Sequence, residues 1–229
     1  MRRQNASRTW GHGIGVAIAA MALAACAAGQ SGKPKPSGFL GDYAQLHEGA
    51  KGQALLVYVD PQAHFAKYHK MMIDPVTIWR SAETKDIPPD EAQDLIDDLD
   101  DMLRITLDDH YEIVKQPGPD VLRLRVAITE AEGSWRVIDG RLGDRLDSDL
   151  QAVKPKQPSS STRDFVGKAG IEAELLDAVS GVRVAAAIDR RAGARSIKPE
   201  SSKWDDVEDA FRYWAERLRD RLEELRRRS

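Results

Sequence analysis

The chain has 229 residues, with 34 Lys and Arg against 37 Asp and Glu, and a single cysteine. This acidic balance argues against nucleic acid as a partner, because binding to phosphates requires an excess of cations on one surface. One cysteine excludes an internal disulfide framework, and the length suffices for one domain with a real core after a leader is removed.

Residues 1–25 read as a lipoprotein signal peptide. Arg2, Arg3 and Arg8 precede an apolar run from Ile14 to Ala24, which closes in Leu23-Ala-Ala-Cys26. A basic segment, a short apolar core and small residues before a cut site stand in the order that secretion requires. The run of about a dozen residues falls short of the ~20 needed to span a bilayer. Cleavage between Ala25 and Cys26 exposes the cysteine for acylation, which explains a lone cysteine in a secreted chain better than any fold role does. Acyl chains contribute about 0.8 kcal/mol per buried methylene, so more than one holds an otherwise polar domain on a membrane. Ala27, in place of Asp after the cysteine, points to the outer membrane of a didermic bacterium with the domain facing the periplasm.

From Cys26 to Gly38 the composition of Ala, Gly, Ser and Pro, with Lys33 and Lys35, predicts a flexible tether. Residues 39–229 then form a single domain. Without the three signal arginines, 31 cations face 37 acids, a net charge near −6.

Ala54–Val59 and Lys70–Trp79 are β-branched and aromatic runs that predict strands. Pro75 inside the second removes a ladder donor, so that strand should bend or lie at an edge. Pro88-Pro89 opens a helix through about Leu107, with Asp90 and Glu91 opposing the positive dipole end and an apolar stripe through Leu95, Leu99 and Leu103. Tyr111–Val114 is a short strand. In Val121–Thr129 the alternation is clean: Leu122, Leu124, Val126 and Ile128 face one side, Arg123 and Arg125 the other. Gly133 to Asp164 loses periodicity and reads as a long polar excursion. Gly167–Asp177 and Val182–Arg191 form a hairpin about Ser180-Gly181, whose expected register puts Ile171, Ala173 and Leu175 on one face with Val182, Val184, Ala186 and Ile188. The last helix runs from about Lys203 to Arg227. Ser202 and Asp205 suggest a capping box, Trp204, Phe211, Trp214 and Leu222 fall in the apolar stripe, and arginines sit at the negative dipole end.

This order of elements predicts an α+β two-layer sandwich: a mixed or mainly antiparallel sheet of about five to six strands with two helices packed on one face. The motifs Ser37-Gly-Phe-Leu-Gly-Asp-Tyr43, Phe65–Tyr68 leading into Ile73-Asp-Pro-Val76, Val121–Thr129, Ile171–Asp177, Asp189–Gly193 and Trp204 with its helix resemble the bacterial lipoprotein family called domain of unknown function 3313. The resemblance covers nearly all of the mature chain and departs from the family pattern between Gly133 and Asp164. It implies an envelope lipoprotein and no catalytic activity.

No catalytic constellation, metal site or cofactor is expected. His47, His64, His69 and His110 are scattered, and Asp94, Asp97, Asp98, Asp100 and Asp101 point around an arc of a helix, a solvated acidic face. Ser159–Thr162 have neither a neighbouring base nor a nucleophile-elbow setting. The more specific constellation is a charged ladder on the sheet face away from the helices, made by Arg123, Arg125, Glu172, Glu174, Asp189 and Arg190. The leading reading is a non-enzymatic adaptor, anchored to the membrane at Cys26, that docks an envelope protein through this face or a strand edge. The alternative is a carrier or enzyme with a pocket between sheet and helices; self-assembly into a homo-oligomer through sheet edges or the last helix is a third reading.

Overall fold

The computed structural model describes residues 29–81, 83–133, 167–193 and 202–229. Ala25 and Cys26, the cut and lipidation sites expected from the sequence, lie outside the described residues, as does the polar excursion beyond Gly133.

Three long strands make the spine of the sheet: β7 (Val121–Glu132), β8 (Lys168–Asp177) and β9 (Arg183–Ala192), paired antiparallel in sequence order. β3 (Leu56–Val59) adds antiparallel to β9, and β2 (His47–Glu48) closes that edge. On the other side β4 (Lys70–Ile73) runs parallel to β7, with β6 (Glu112–Ile113) parallel outside it. β5 (Thr77–Ile78) continues alongside β7, and β1 (Gly29–Gln30) pairs antiparallel with the end of β9.

Among the described residues the sheet therefore has nine strands where five to six were expected. Part of the excess comes from Pro75, which splits the run Lys70–Trp79 into two strands because it offers no ladder donor. The rest comes from the two-residue strands β1 and β2, too short for a period-2 signal. β1 also corrects the tether: from Gly29 on, the chain lies along the sheet, with the Ser31 N–H donating to the Arg190 carbonyl at 3.0 Å.

Both helices pack on one face, as expected. α1 (Pro89–Asp108) starts on prolines and buries Leu95, Leu99, Leu103 and Leu107, one residue per turn. α2 (Asp205–Arg228) buries Val207, Phe211, Trp214 and Leu222 and ends in Arg226, Arg227 and Arg228. Before it, the Asp205 carboxylate accepts from Ser202 N–H at 2.8 Å, while Ser202 Oγ accepts from Trp204 N–H, half of the expected box and a local turn. Trp204 Nε1 donates to Glu91 at 3.0 Å and ties the two helix starts together. Beneath the helices lie Leu122, Leu124, Val126 and Ile128 of β7 with Ile171 and Leu175 of β8.

The opposite face is not open. Phe39, Leu40, Tyr43 and Leu46 fold across it and pack on Leu56, Tyr58, Ala186 and Ile188 as a second apolar cluster. Ala186 and Ile188 reach that face because a bulge interrupts the hairpin: Leu175 pairs with Ala185, but Leu176 pairs with Arg183. The extra residue, Val184, inverts the parity of the rest of β9 relative to the expected register, so Ala185, Ala187 and Asp189 turn toward the helices. No described helix is long and apolar enough to cross a membrane.

Candidate functional site

The charged positions of β7 and β8 do meet on the face away from the helices. Arg125 stands directly opposite Glu174, and the two form an ion pair. The second oxygen of Glu174 accepts from Arg183 Nε at 2.8 Å, and the Arg183 guanidinium also donates to the carbonyls of Leu40 and Asp42. Arg123 grips Asp74 through Nε and Nη2, at 2.9 and 2.7 Å to its two oxygens. This pairing holds the Arg123 guanidinium above its ordinary pKa.

The members of this strip differ in exposure. Glu174 is 3% exposed at its side chain, whereas Arg125 is 36% and Arg123 42% exposed. Glu172 is fully buried: its carboxylate accepts from Ser37 N–H at 2.6 Å and from the Tyr43 hydroxyl at 2.7 Å. Burial, then the bond to Glu172, pushes the Tyr43 phenol above its ordinary pKa. Glu172 thus fastens the covering segment and is not a surface residue. Arg190 lies further along the same face and is clamped on Glu130 by two bonds of 2.6 Å.

Asp189 leaves the expected ladder altogether. The β9 bulge turns it under α2, where it accepts from Trp214 Nε1 at 2.8 Å, Gln30 Nε2 at 2.9 Å and Leu55 N–H at 3.3 Å. Neighbouring Arg191 is also buried, with its guanidinium 3.5 Å from the Tyr213 ring centroid. The structure adds partners that alternation could not supply. Asp74 precedes a proline outside any regular strand, and Glu130 joins the polar face only because a bulge after Ile128 displaces it.

Two concave regions flank the sheet. A cavity of about 250 Å³ lies between α2 and the sheet, where Ala173, Ala185 and Ala187 present methyl groups to Trp214, Leu218 and Leu222. Its exposed lining is mostly apolar, with Arg217, Asp220, Arg221 and Glu224 also bordering it, and its buried carboxylates are already engaged: Asp189 accepts three bonds and Glu174 pairs with Arg125 and Arg183. On the other face an open groove of about 560 Å³ runs past Leu40, Tyr58, Arg125, Arg183 and Val182. Among the described residues, no group of three or more His, Cys, Asp or Glu is placed to hold a metal ion. His110 pairs with Glu223 at 2.9 Å, and His69 lies 3.4 Å from Arg226.

Fold and site together define an α+β two-layer domain with a self-paired charged strip on its helix-free face. The chain belongs to the family "Protein of unknown function (DUF3313)", which matches residues 35–218. No curated protein matches the chain. Among solved structures it is similar to the PelC dodecamer from Paraburkholderia phytofirmans, at 15% identity and TM-score 0.40, covering 71% of this chain and 94% of that one. It is also similar to a Xanthomonas campestris protein of family DUF330, at 12% identity and TM-score 0.38, covering 70% and 86%. Neither likeness says what this chain binds or assembles into.

Proposed function

We propose that the chain is a lipid-anchored envelope protein of didermic bacteria, held at the outer membrane through Cys26, whose periplasm-facing domain acts as a non-enzymatic adaptor. The observation that carries the docking surface is the asymmetry of the charged strip: Glu174 is buried and Asp74 only 22% exposed, while the guanidiniums of Arg123 and Arg125 stay half-exposed. These less exposed acids fix the cations in place, and fixed cations recognise a carboxylate-bearing partner without losing much side-chain entropy on binding. The docking residues are then Arg123 and Arg125, with Arg190 at the far end of the face; Glu172, Glu174 and Asp189 support the fold beneath them. In-cell crosslinking of wild type and Arg123→Glu tests this reading. Loss of one specific crosslinked partner, with the domain still folded at the temperature of the experiment, is the expected result, and Arg123→Ala, which adds no like charge beside Asp74, should lose the same partner; a partner captured equally by all forms removes this strip from the interface.

The alternative, a small-ligand carrier, is favoured by the cavity beneath α2. Its apolar lining suits an apolar molecule, since a smaller engineered apolar cavity of about 150 Å³ stays dry and takes up benzene. Native mass spectrometry of the protein as purified from its own envelope distinguishes the readings: an adduct lost in Ala187→Leu supports a carrier, and a bare mass supports the adaptor.

A further inference from the structure

We infer that the domain sits on the membrane end-on, with the sheet end formed by Glu132, Lys168 and Ala192 against the bilayer and the 177–182 hairpin end pointing away. This rests on the anchor reading and adds a surface and an orientation to it. Gly29 pairs with Ala192, Ala192 with Lys168, and Lys168 with Glu132, so four strands end in one row. Cys26 precedes Gly29 by three residues, a chain length that reaches at most about 10 Å. An acyl group on Cys26 therefore holds this row within about a headgroup layer of the lipid.

The rest of the fold agrees on which elements share each end. Asp206, in the first turn of α2, accepts from Gly167 N–H at 2.9 Å and places the helix start beside the anchored row. At the other end Ser229 Oγ accepts from Phe65 N–H at 3.1 Å, and Asp177 accepts from Lys67 Nζ and the Tyr68 hydroxyl, both at 2.9 Å. β8 runs between the two ends over ten residues, so the hairpin stands roughly 30 Å further from the headgroups. Arg123, paired with Leu176 near the hairpin, falls in the distal half, and Arg190, paired with Gly170, falls near the lipid. Val179 and Val182, among the few exposed large apolar side chains described, crown the distal end, where only a periplasmic partner reaches them.

The lipid-blocked Cys26 leaves no free thiol, so one introduced cysteine is the only labelling site. Full-length protein carrying Lys168→Cys or Val179→Cys is labelled with a donor fluorophore. It is then inserted into vesicles of phosphatidylethanolamine and phosphatidylglycerol that contain an acceptor-labelled headgroup lipid. Energy transfer several-fold stronger from position 168 than from position 179 is the expected result. Equal or inverted transfer, with both proteins floating with the vesicles, overturns the orientation and leaves the anchor intact. Failure of both to float overturns the anchor reading, and the orientation falls with it.

Discussion

Trp214 Nε1 donates to Asp189 Oδ2 at 2.8 Å, a buried bond that joins the middle of α2 to β9. Trp214→Phe keeps a smaller aromatic ring in place but withdraws one of three donors from a carboxylate that is 2% exposed. An under-satisfied buried acceptor costs about 1–3 kcal/mol. Urea unfolding of the variant is expected to show a lower midpoint with an unchanged slope. An unchanged midpoint would mean that water replaces the indole, and that the bond contributes nothing net.

Tyr43→Phe tests how the covering segment is held. The hydroxyl donates to Glu172 and accepts from Gly38 N–H at 2.7 Å, so its loss unpairs one oxygen of a fully buried carboxylate and frees the turn at Gly38. Amide exchange at residues 38–46 should speed up at least several-fold while β7 and β8 stay protected, with a global cost of about 1–2 kcal/mol. Uniform loss of protection across the sheet would show instead that the segment unfolds only with the whole domain.

The pairing of charges was legible in the sequence only where local pattern sets it. Alternation in Val121–Thr129 placed Arg123 and Arg125 on the polar face, and the parity of Glu174 to Arg125 held because no bulge lies between them. Asp189 was misplaced because a single extra residue at Val184 inverts everything after it, and no residue type marks that bulge. The covering of the helix-free face by Phe39, Leu40 and Tyr43 was equally hidden. A short apolar cluster after a Pro/Ser-rich stretch carries no period, and its destination is a tertiary choice. Both helices were readable because their stripes repeat over five turns or more.

Acid should weaken the hairpin end through Asp177. Partial burial pushes its pKa up, but bonds from Ser180, Lys67 and Tyr68 outweigh that and hold it well below the usual carboxylate range. A depressed folded pKa contributes stability that is present above the unfolded value, about 3.9, and is lost as pH falls toward the folded one. Asp177→Asn is expected to cost ~2 kcal/mol at pH 7 through the lost charge-assisted bonds. The gap between the two proteins should narrow from about pH 4 downward. A gap that stays constant down to pH 2 contradicts this assignment.

Asp98 of α1 and Glu208 of α2 repel each other, and their pKa shifts run opposite to that of Asp177. Burial first, then Asp94, Asp101 and Asp97, raises the pKa of Asp98; burial first, then Asp98 and Asp205, raises that of Glu208. Raised folded values mean that the native state binds these protons more tightly than the unfolded chain. Their contribution is therefore favourable at low pH and diminishes as pH rises through the folded value. Asp98→Asn removes one desolvated charge and relieves its neighbour. Both groups remain partly exposed, so solvent screening limits the gain to roughly 0.5 kcal/mol at pH 7. The gain should vanish near pH 3, where the wild-type carboxyl is neutral in both states. Thermal unfolding of the two proteins at pH 3 and pH 7 checks this, and a destabilised variant at pH 7 would show that Asp98 makes a favourable contact that its repulsion does not outweigh.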